Sequence, residues 1–367
     1  MKGIIFVIIA LLSLGSILYV KEPQNFHQFP HSISTWYRSL NQNNKYPPNI
    51  NPTVVQQGTW VLNSLQFTIR NYFRSNPNAT VFTMNKYPID KIVMVQREIP
   101  HYYALYSHKL GQGANGWVFL AQDIDTREFL AVKQQPALEN TSYIKNEIEQ
   151  LSILNRYRGE MSIKGFEIET HYLFSQLLPG TCIEELYSSD MHYNTKEILD
   201  IILASFYALR KLHANRIVHN DIYEGNIIYN VNDKKADWVD LGLSLWLPPG
   251  VSSKITNQWA QRLAPSHKAP EYNHEKGYAT DVHSLGIMSL RLFLILTEQD
   301  PILKTKYIKS HQESFIATQQ KYSALSKGSS ALAKIYHLLL QMTSEETEAR
   351  PTLDEAIAEL EQTLKLM

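Results

Sequence analysis

The sequence predicts an α+β fold of two unequal lobes, a small β-rich lobe with one helix and a larger α-helical lobe, preceded by an N-terminal hydrophobic helix. Three observations predict it. Short β-rich runs follow one another between Tyr103 and Gln135. A single stretch at helical spacing, Tyr143 to Leu154, comes next. Beyond Pro179-Gly180 the apolar residues recur at helical rather than alternating spacing.

Taken in chain order, the first element is Gly3 to Val20, "GIIFVIIALLSLGSILYV", 18 uncharged residues between Lys2 and Lys21. At about 1.5 Å per residue a helix of this length just crosses a hydrocarbon core of roughly 30 Å. Residues 1–20 are therefore expected to be a single-pass membrane anchor. The alternative is a signal peptide, with Ser13 and Gly15 as small residues before the cut and a secreted body after it. Lys21, Arg38 and Lys45 outnumber Lys2 plus the amino terminus, which points to a cytoplasmic body. Residues 21–53, rich in Asn, Gln, Pro and Tyr, read as a linker. Residues 54–101 regain apolar content and read as an extension ahead of the main domain. Within it "WVLNSLQFTIRNYF", Trp60 to Phe73, fits helix and strand templates equally.

The main domain spans 102–367, its small lobe ending at 178 and its large lobe starting at 179. "YALYSHKL" and "GWVFLAQD" flank a glycine-rich turn, and "REFLAVKQQ" adds a third strand, the pattern of an antiparallel meander. The helix "YIKNEIEQLSIL" follows, then two strands around "GFEIE" and "YLFSQLL". Helices are expected at Glu197–His213, Thr280–Leu296, Ala331–Met342 and Leu353–Leu366.

Composition removes several function classes. Charged residues are 19% and apolar residues 44% of the 367, the balance of a globular chain. Lys plus Arg equal Asp plus Glu at 35 each, so no nucleic-acid partner is expected. The single cysteine, Cys182, excludes an intrachain disulfide and any Cys-rich zinc site, and reads as a buried small hydrophobe.

What remains is a set of residues suited to phosphoryl transfer, which needs a loop over phosphates, a cation, metal ligands and a carboxylate for the acceptor hydroxyl. Gly111, Gly113 and Gly116, followed by Val118, let a backbone pass close to phosphate, although the same spacing fits a hairpin that binds nothing. "AVK", Ala131 to Lys133, ends the third strand with a cation. Glu147 on the next helix is its natural counterion, ahead of Glu149. "IVHNDIYEGNII" places Asp221 and Asn226 five residues apart, and "WVDLGLS" supplies Asp240, a hard oxygen ligand that suits Mg²⁺.

From Tyr103 to the C-terminus these blocks resemble the protein kinase family, whose bilobal fold matches the predicted lobes. "APE" at 269–271, "DVHSLG" at 281–286 and "ARPT" at 349–352 extend the resemblance. It implies ATP as phosphoryl donor, with Mg²⁺, or Mn²⁺, held by Asn226 and Asp240. It implies that Lys133, held by Glu147, positions the phosphates, and that Asp221 orients the acceptor hydroxyl. Gly111, Gly113, Gly116, Val118 and Ala131 would surround the nucleotide. Gln176 and Leu178 lie in the hinge, Ser175 to Leu178, that meets adenine. Arg350 would form a structural ion pair with Glu271.

Three departures concern the acceptor. Asn220 stands where most members have the Arg that receives an activation-segment phosphate, so activity is expected not to require phosphorylation at Ser252, Ser253 or Thr256. Tyr223 and Ala264 stand where serine/threonine members have Lys and Thr. Gly225 occupies a position where tyrosine kinases have Arg. The "APE" and "RPT" blocks favour a protein substrate, and the expected acceptor is a serine or threonine hydroxyl. The alternatives are a small-molecule kinase, acting on a sugar, alcohol or lipid headgroup, and a pseudokinase scaffold.

Overall fold

Successive residues along the small-lobe strands point to opposite faces, and each face finds its own core. Ile92, Ala104 and Leu120 pack on one side, whereas their neighbours Val93, Tyr103, Leu105 and Ala121 pack on the other. The structure, a computed structural model, describes residues 52–113, 116–137, 142–165, 169–187, 193–255, 267–298 and 300–367. All of these belong to one compact unit, Asn43–Met367. The expected membrane anchor or signal at 1–20, and nearly all of the linker at 21–53, lie outside the described residues.

The small lobe is a seven-stranded antiparallel sheet in the order β1-β2-β3-β4-β5-β7-β6. Its strands are β1 (Val81–Lys86), β2 (Ile89–Val95), β3 (His101–Gly113), β4 (Gly116–Asp123), β5 (Phe129–Pro136), β6 (Tyr157–Lys164) and β7 (Glu169–Gln176). Two helices accompany it, α1 (Pro52–Ser75) and α2 (Ser142–Ile153). The ambiguous Trp60–Phe73 stretch is helical. Val54, Val55, Val61, Leu62, Ile69 and Phe73 form its buried face and close over Ile89, Ile92, Ala104 and Leu120. The extension therefore completes the sheet and one of its two cores rather than standing apart from the domain. The strand expected around "GFEIE" falls mostly outside the described residues, and a strand the sequence did not mark, Tyr157–Lys164, precedes it. Glu160, Ser162 and Lys164 alternate outward on this edge strand, so its apolar signal is weak.

The large lobe contains α3 (Thr195–Ala214), α4 (Tyr278–Thr297), α5 (Pro301–Lys309), α6 (His311–Leu325), α7 (Ala331–Met342) and α8 (Leu353–Leu364). Helix α3 starts with a reciprocal capping box between Asn194 and Glu197, and α8 with one between Thr352 and Glu355. Helix α4 is buried from Thr280 to Leu296. Among the described residues it alone is long and apolar enough to cross a membrane, yet 94% of its apolar window is enclosed by the domain. Helices α3, α5, α6 and α7 pack on it, and α8 packs on α3 and α7. Helices α5 and α6 were not expected from the sequence.

Candidate active site

Lys133 sits on β5 opposite Val118 on β4 and Leu173 on β7. The two-residue period of the strand puts Ala131 on the same face, and Val118 and Ala131 are both half-buried there. The Lys133 ammonium lies 2.9 Å from Glu147 Oε2 and 2.6 Å from Asp240 Oδ1. Burial alone would lower its pKa, but the two carboxylates outweigh burial and move it above the ordinary lysine range. The same ammonium holds Asp240 below the usual carboxylate range, against burial that would raise it. Asp240 itself adopts a left-handed backbone, φ 55°, a conformation that Asp tolerates better than most residues. Of the two acidic candidates on α2, Glu147 makes the bond and Glu149 does not.

Asn146, next to Glu147, locks α2 onto the turn after Asp240. Its amide donates to the carbonyls of Leu241, Gly242 and Ser244 at 3.3, 3.1 and 2.8 Å. Nothing in the sequence singled this residue out, because its partners lie nearly a hundred positions away.

The loop from His219 to Asn226 follows the short strand β8 (Ile217–Val218). Asp281, near the start of α4, accepts from the backbone N–H groups of His219 and Asn220 at 2.7 and 2.9 Å, and sits 2.9 Å from His213 Nε2. The His219 ring reaches Val239 O at 3.0 Å, and burial lowers its pKa, so the neutral imidazole acts as a bracket. Asn220 has φ 63°, donates to Leu243 O at 3.1 Å, and accepts from the Tyr272 hydroxyl at 2.9 Å. The loop is thereby fixed on three sides.

Within that loop Asn226 Nδ2 donates to Asp221 Oδ2 at 2.8 Å and to Asp221 O at 2.9 Å. Its amide nitrogen is thus committed, which leaves the carbonyl oxygen as its metal-ligating atom. The backbone N–H of Val239 donates to Asn226 O at 2.9 Å, placing Asp240 directly beside this pair. Burial, then the Asp240 charge, raises the Asp221 carboxyl to about 7, against the pull of Asn226, Lys133 and Lys268. A carboxylate tuned near neutrality is suited to accepting a proton.

Gly111 pairs with Val118, and Gly113 with Gly116, in the β3–β4 hairpin. Among the described residues, a Cβ on Gly111 or Gly113 would meet nothing within 4 Å, so both face open space there. A Cβ on Gly116 would lie 2.1 Å from Gln134 O, and its φ is 155°. Gly116 is therefore needed for the hairpin, whereas Gly111 and Gly113 leave room for a ligand. Gln176 ends β7, exposed, with its N–H committed to Arg156 O at 2.9 Å, and Leu178 follows half-buried.

Arg350 makes the expected pair with Glu271, Nη1 to Oε1 at 2.6 Å and Nη2 to Oε2 at 2.9 Å. Cys182 is half-buried rather than buried, its thiol pushed up to about 12 by burial. Ala264 and Thr256 lie outside the described residues.

A family model described as "Protein kinase domain" matches residues 105–360. Over 198 residues the chain is 27% identical to the serine/threonine-protein kinase PAK 1 of Mus musculus, covering 50% of this chain and 34% of that protein. Over 219 residues it is 28% identical to the serine/threonine-protein kinase CLA4 of Candida albicans, covering 55% of this chain and 21% of that protein. The chain thus spans about a third or less of the length of these relatives.

Proposed function

The chain belongs to the protein kinase family, and from that premise we propose that it transfers the terminal phosphoryl group of ATP to a serine or threonine hydroxyl of a protein. One observation carries the reading: a single ammonium, Lys133, bridges Glu147 on α2 and Asp240 beyond the loop that holds Asp221 against Asn226. Such bridging needs both lobes in register, and it gathers the cation, the metal-ligating oxygens and the acceptor-side carboxylate that phosphoryl transfer requires.

In this reading Lys133, oriented by Glu147, positions the phosphates, and Asp221 orients the acceptor hydroxyl and takes its proton. Gly111 and Gly113 let the backbone of the hairpin approach the phosphates, with Val118 and Ala131 against the base and Gln176 and Leu178 at its edge. A carboxylate at Asp240 and an amide oxygen at Asn226 are the hard donors that Mg²⁺ or Mn²⁺ prefers, so the residues fit the ion. Bound there, the metal would neutralise phosphate charge. The similarity to two serine/threonine-protein kinases supports the acceptor class. Residues 3–20 would tether the domain to a membrane; extraction of the full-length protein by alkaline wash would exclude a spanning anchor.

The deciding experiment is transfer of labelled phosphate from ATP to a generic protein acceptor by the full-length protein. Labelling that Asp221→Ala abolishes supports the proposal. Nucleotide binding without turnover, in Mg²⁺ and in Mn²⁺, would instead make the chain a scaffold.

A further inference from the structure

We propose that the chain selects an acidic acceptor: Lys276, with Lys254 beside it, takes a carboxylate or phosphate that flanks the target hydroxyl in the substrate protein. The inference rests on the phosphotransfer reading above and adds a substrate class to it. Lys276 carries the argument. It is 6% exposed, and among the described residues no hydrogen bond or ion pair reaches its ammonium. What it meets instead is the Tyr272 ring, 4.6 Å from the ring centre. An ammonium held out of water without an acceptor is costly, and such groups are ordinarily paired. Burial, then the charge of Lys268, lowers its pKa.

The surroundings supply further cations and no anion. Ser253–Ile255 and Glu275–Gly277 form a two-stranded antiparallel ladder in which Lys254 stands directly opposite Lys276. Opposite residues share one face of a ladder, with Cβ atoms about 5 Å apart, and like charges there repel. Lys254 is exposed, so this face opens to solvent. Lys268 lies against the same Tyr272 ring at 5.5 Å. From Leu241 to Pro270 the sequence contains Lys254, Arg262 and Lys268 but no Asp or Glu. The next two carboxylates are committed elsewhere. Glu271 holds Arg350, and Glu275 accepts from the Ser253 hydroxyl on the other face of the ladder. A fold that gathers like charges and withholds the counterion leaves that counterion to a ligand.

The substrate is the ligand that the location favours. Tyr272, whose ring carries Lys276, donates its hydroxyl to the Asn220 carbonyl at 2.9 Å, immediately before Asp221. One aromatic ring thus separates the lysine from the loop that would hold the acceptor. A few extended residues of a bound peptide, at about 3.4 Å each, cover that span. A phosphate on the chain's own Ser253 is a poorer occupant, because it would lie on the opposite face beside Glu275.

The test uses the full-length protein, labelled ATP and three serine peptides that differ only in flanking residues: glutamate, glutamine or lysine. The glutamate peptide is expected to exceed the glutamine peptide at least about tenfold in kcat/KM, mainly through KM. In Lys276→Met and in Lys254→Glu that ratio should fall to within about twofold. Lys254 is exposed, so Lys254→Glu keeps the test open even where Lys276→Met does not fold. A wild type that prefers the glutamine or lysine peptide, or a Lys254→Glu variant that keeps the wild-type ratio, overturns the proposal. An acidic preference that appears only after phosphatase treatment assigns the site to the chain's own phosphate and overturns it too. Anisotropy of a fluorescent glutamate peptide, read without turnover, separates the two failures. Lysine-dependent binding with no labelling overturns only the phosphotransfer reading. Labelling without acidic preference overturns only this site, and the absence of both overturns both.

Discussion

Arg291 Nη1 lies 2.6 Å from Glu224 Oε1, and both side chains are almost fully buried, at 4% and 1% exposure. Glu224 also accepts from the Tyr187 hydroxyl at 2.8 Å. Arg291 continues to Ser314 on α6 at 3.0 Å and to the carbonyls of Tyr307 and Ile308 on α5. One ion pair thus ties the Asp221–Asn226 loop to the core helix and to the two helices behind it. Burial would raise the Glu224 carboxyl, but Arg291 and His267 hold it at about 2. Removing the guanidinium strands a buried carboxylate, so Arg291→Met is expected to cost about 3–5 kcal/mol in urea unfolding. Glu224→Gln in the same chain should restore part of that loss. A cost of Arg291→Met near zero would contradict the finding.

Asp221 sets the pH dependence. Its carboxyl titrates at about 7 in the folded chain, above the ordinary 3.8. Protonated, it cannot accept the hydroxyl proton, so kcat/KM is expected to fall about tenfold per pH unit below neutrality. The sign for stability is opposite. A folded pKa above the unfolded one favours the fold at low pH, and that contribution is lost as pH rises through about 7. Asp221→Asn should therefore be inactive yet more stable than wild type by about 1–3 kcal/mol at pH 8. An acid limb near pH 4, or an Asn variant less stable than wild type at pH 8, would refute this account.

The groups that the proposed function assigns to the chemistry were legible because each needs a particular residue type at short local spacing. Lys133, Asp221, Asn226 and Asp240 all stand in such blocks, and helical spacing marked Glu147. The contacts that hold them were not legible. Asn146 reaches the Ser244 carbonyl 98 residues away and Arg291 reaches Glu224 67 residues away, so no local pattern betrays them. Although Asp281 stands in the "DVHSLG" block, its grip on the His219 and Asn220 backbone, 62 and 61 residues back, left no local sign. Helix α6 was hidden for a different reason: its buried face carries Ser314, Thr318 and Tyr322, while Ile316 and Leu325 are exposed. A polar stripe at helical spacing inverts the amphipathic signal. Ser314 sits there because it bonds Arg291, and Thr318 because it caps the Ser314 carbonyl at 2.6 Å.

The hairpin glycines separate by role. Gly113→Ala meets open space, so its unfolding free energy should stay within about 1 kcal/mol of wild type, the backbone effect of a Gly-to-Ala change. Its loss should appear in nucleotide affinity, read by titration with an ATP analogue. Gly116→Ala forces a Cβ into the Gln134 carbonyl at a left-handed φ, so it should lower stability by more than about 2 kcal/mol. Equal destabilisation by both would remove the distinction.

Helix α1 should behave as core, not as a spacer. Leu62 is 0% exposed against the sheet that carries Lys133, and Phe67, five residues on, is 78% exposed. Leu62→Ala is expected to cost about 2–5 kcal/mol in thermal or urea unfolding. Phe67→Ala should stay within about 0.5 kcal/mol. The contrast tests whether the first described helix belongs to the folding unit, since an independent extension would leave both substitutions silent.

Asn220 decides what the activation segment needs. It is neutral, and its amide is spent on the Leu243 carbonyl, so the loop turn is held by a hydrogen bond that requires no phosphate. Ser253 already has a partner, the Glu275 carboxylate on the facing strand, which would repel an added phosphate. Ser252→Ala, Ser253→Ala and Thr256→Ala combined are therefore expected to keep kcat within about twofold of wild type. Phosphatase treatment of the wild type should change nothing. A triple variant that loses activity while keeping its melting temperature would mean that a phosphate does what the Asn220 hydrogen bond is held to do, and that a cation elsewhere in the domain receives it.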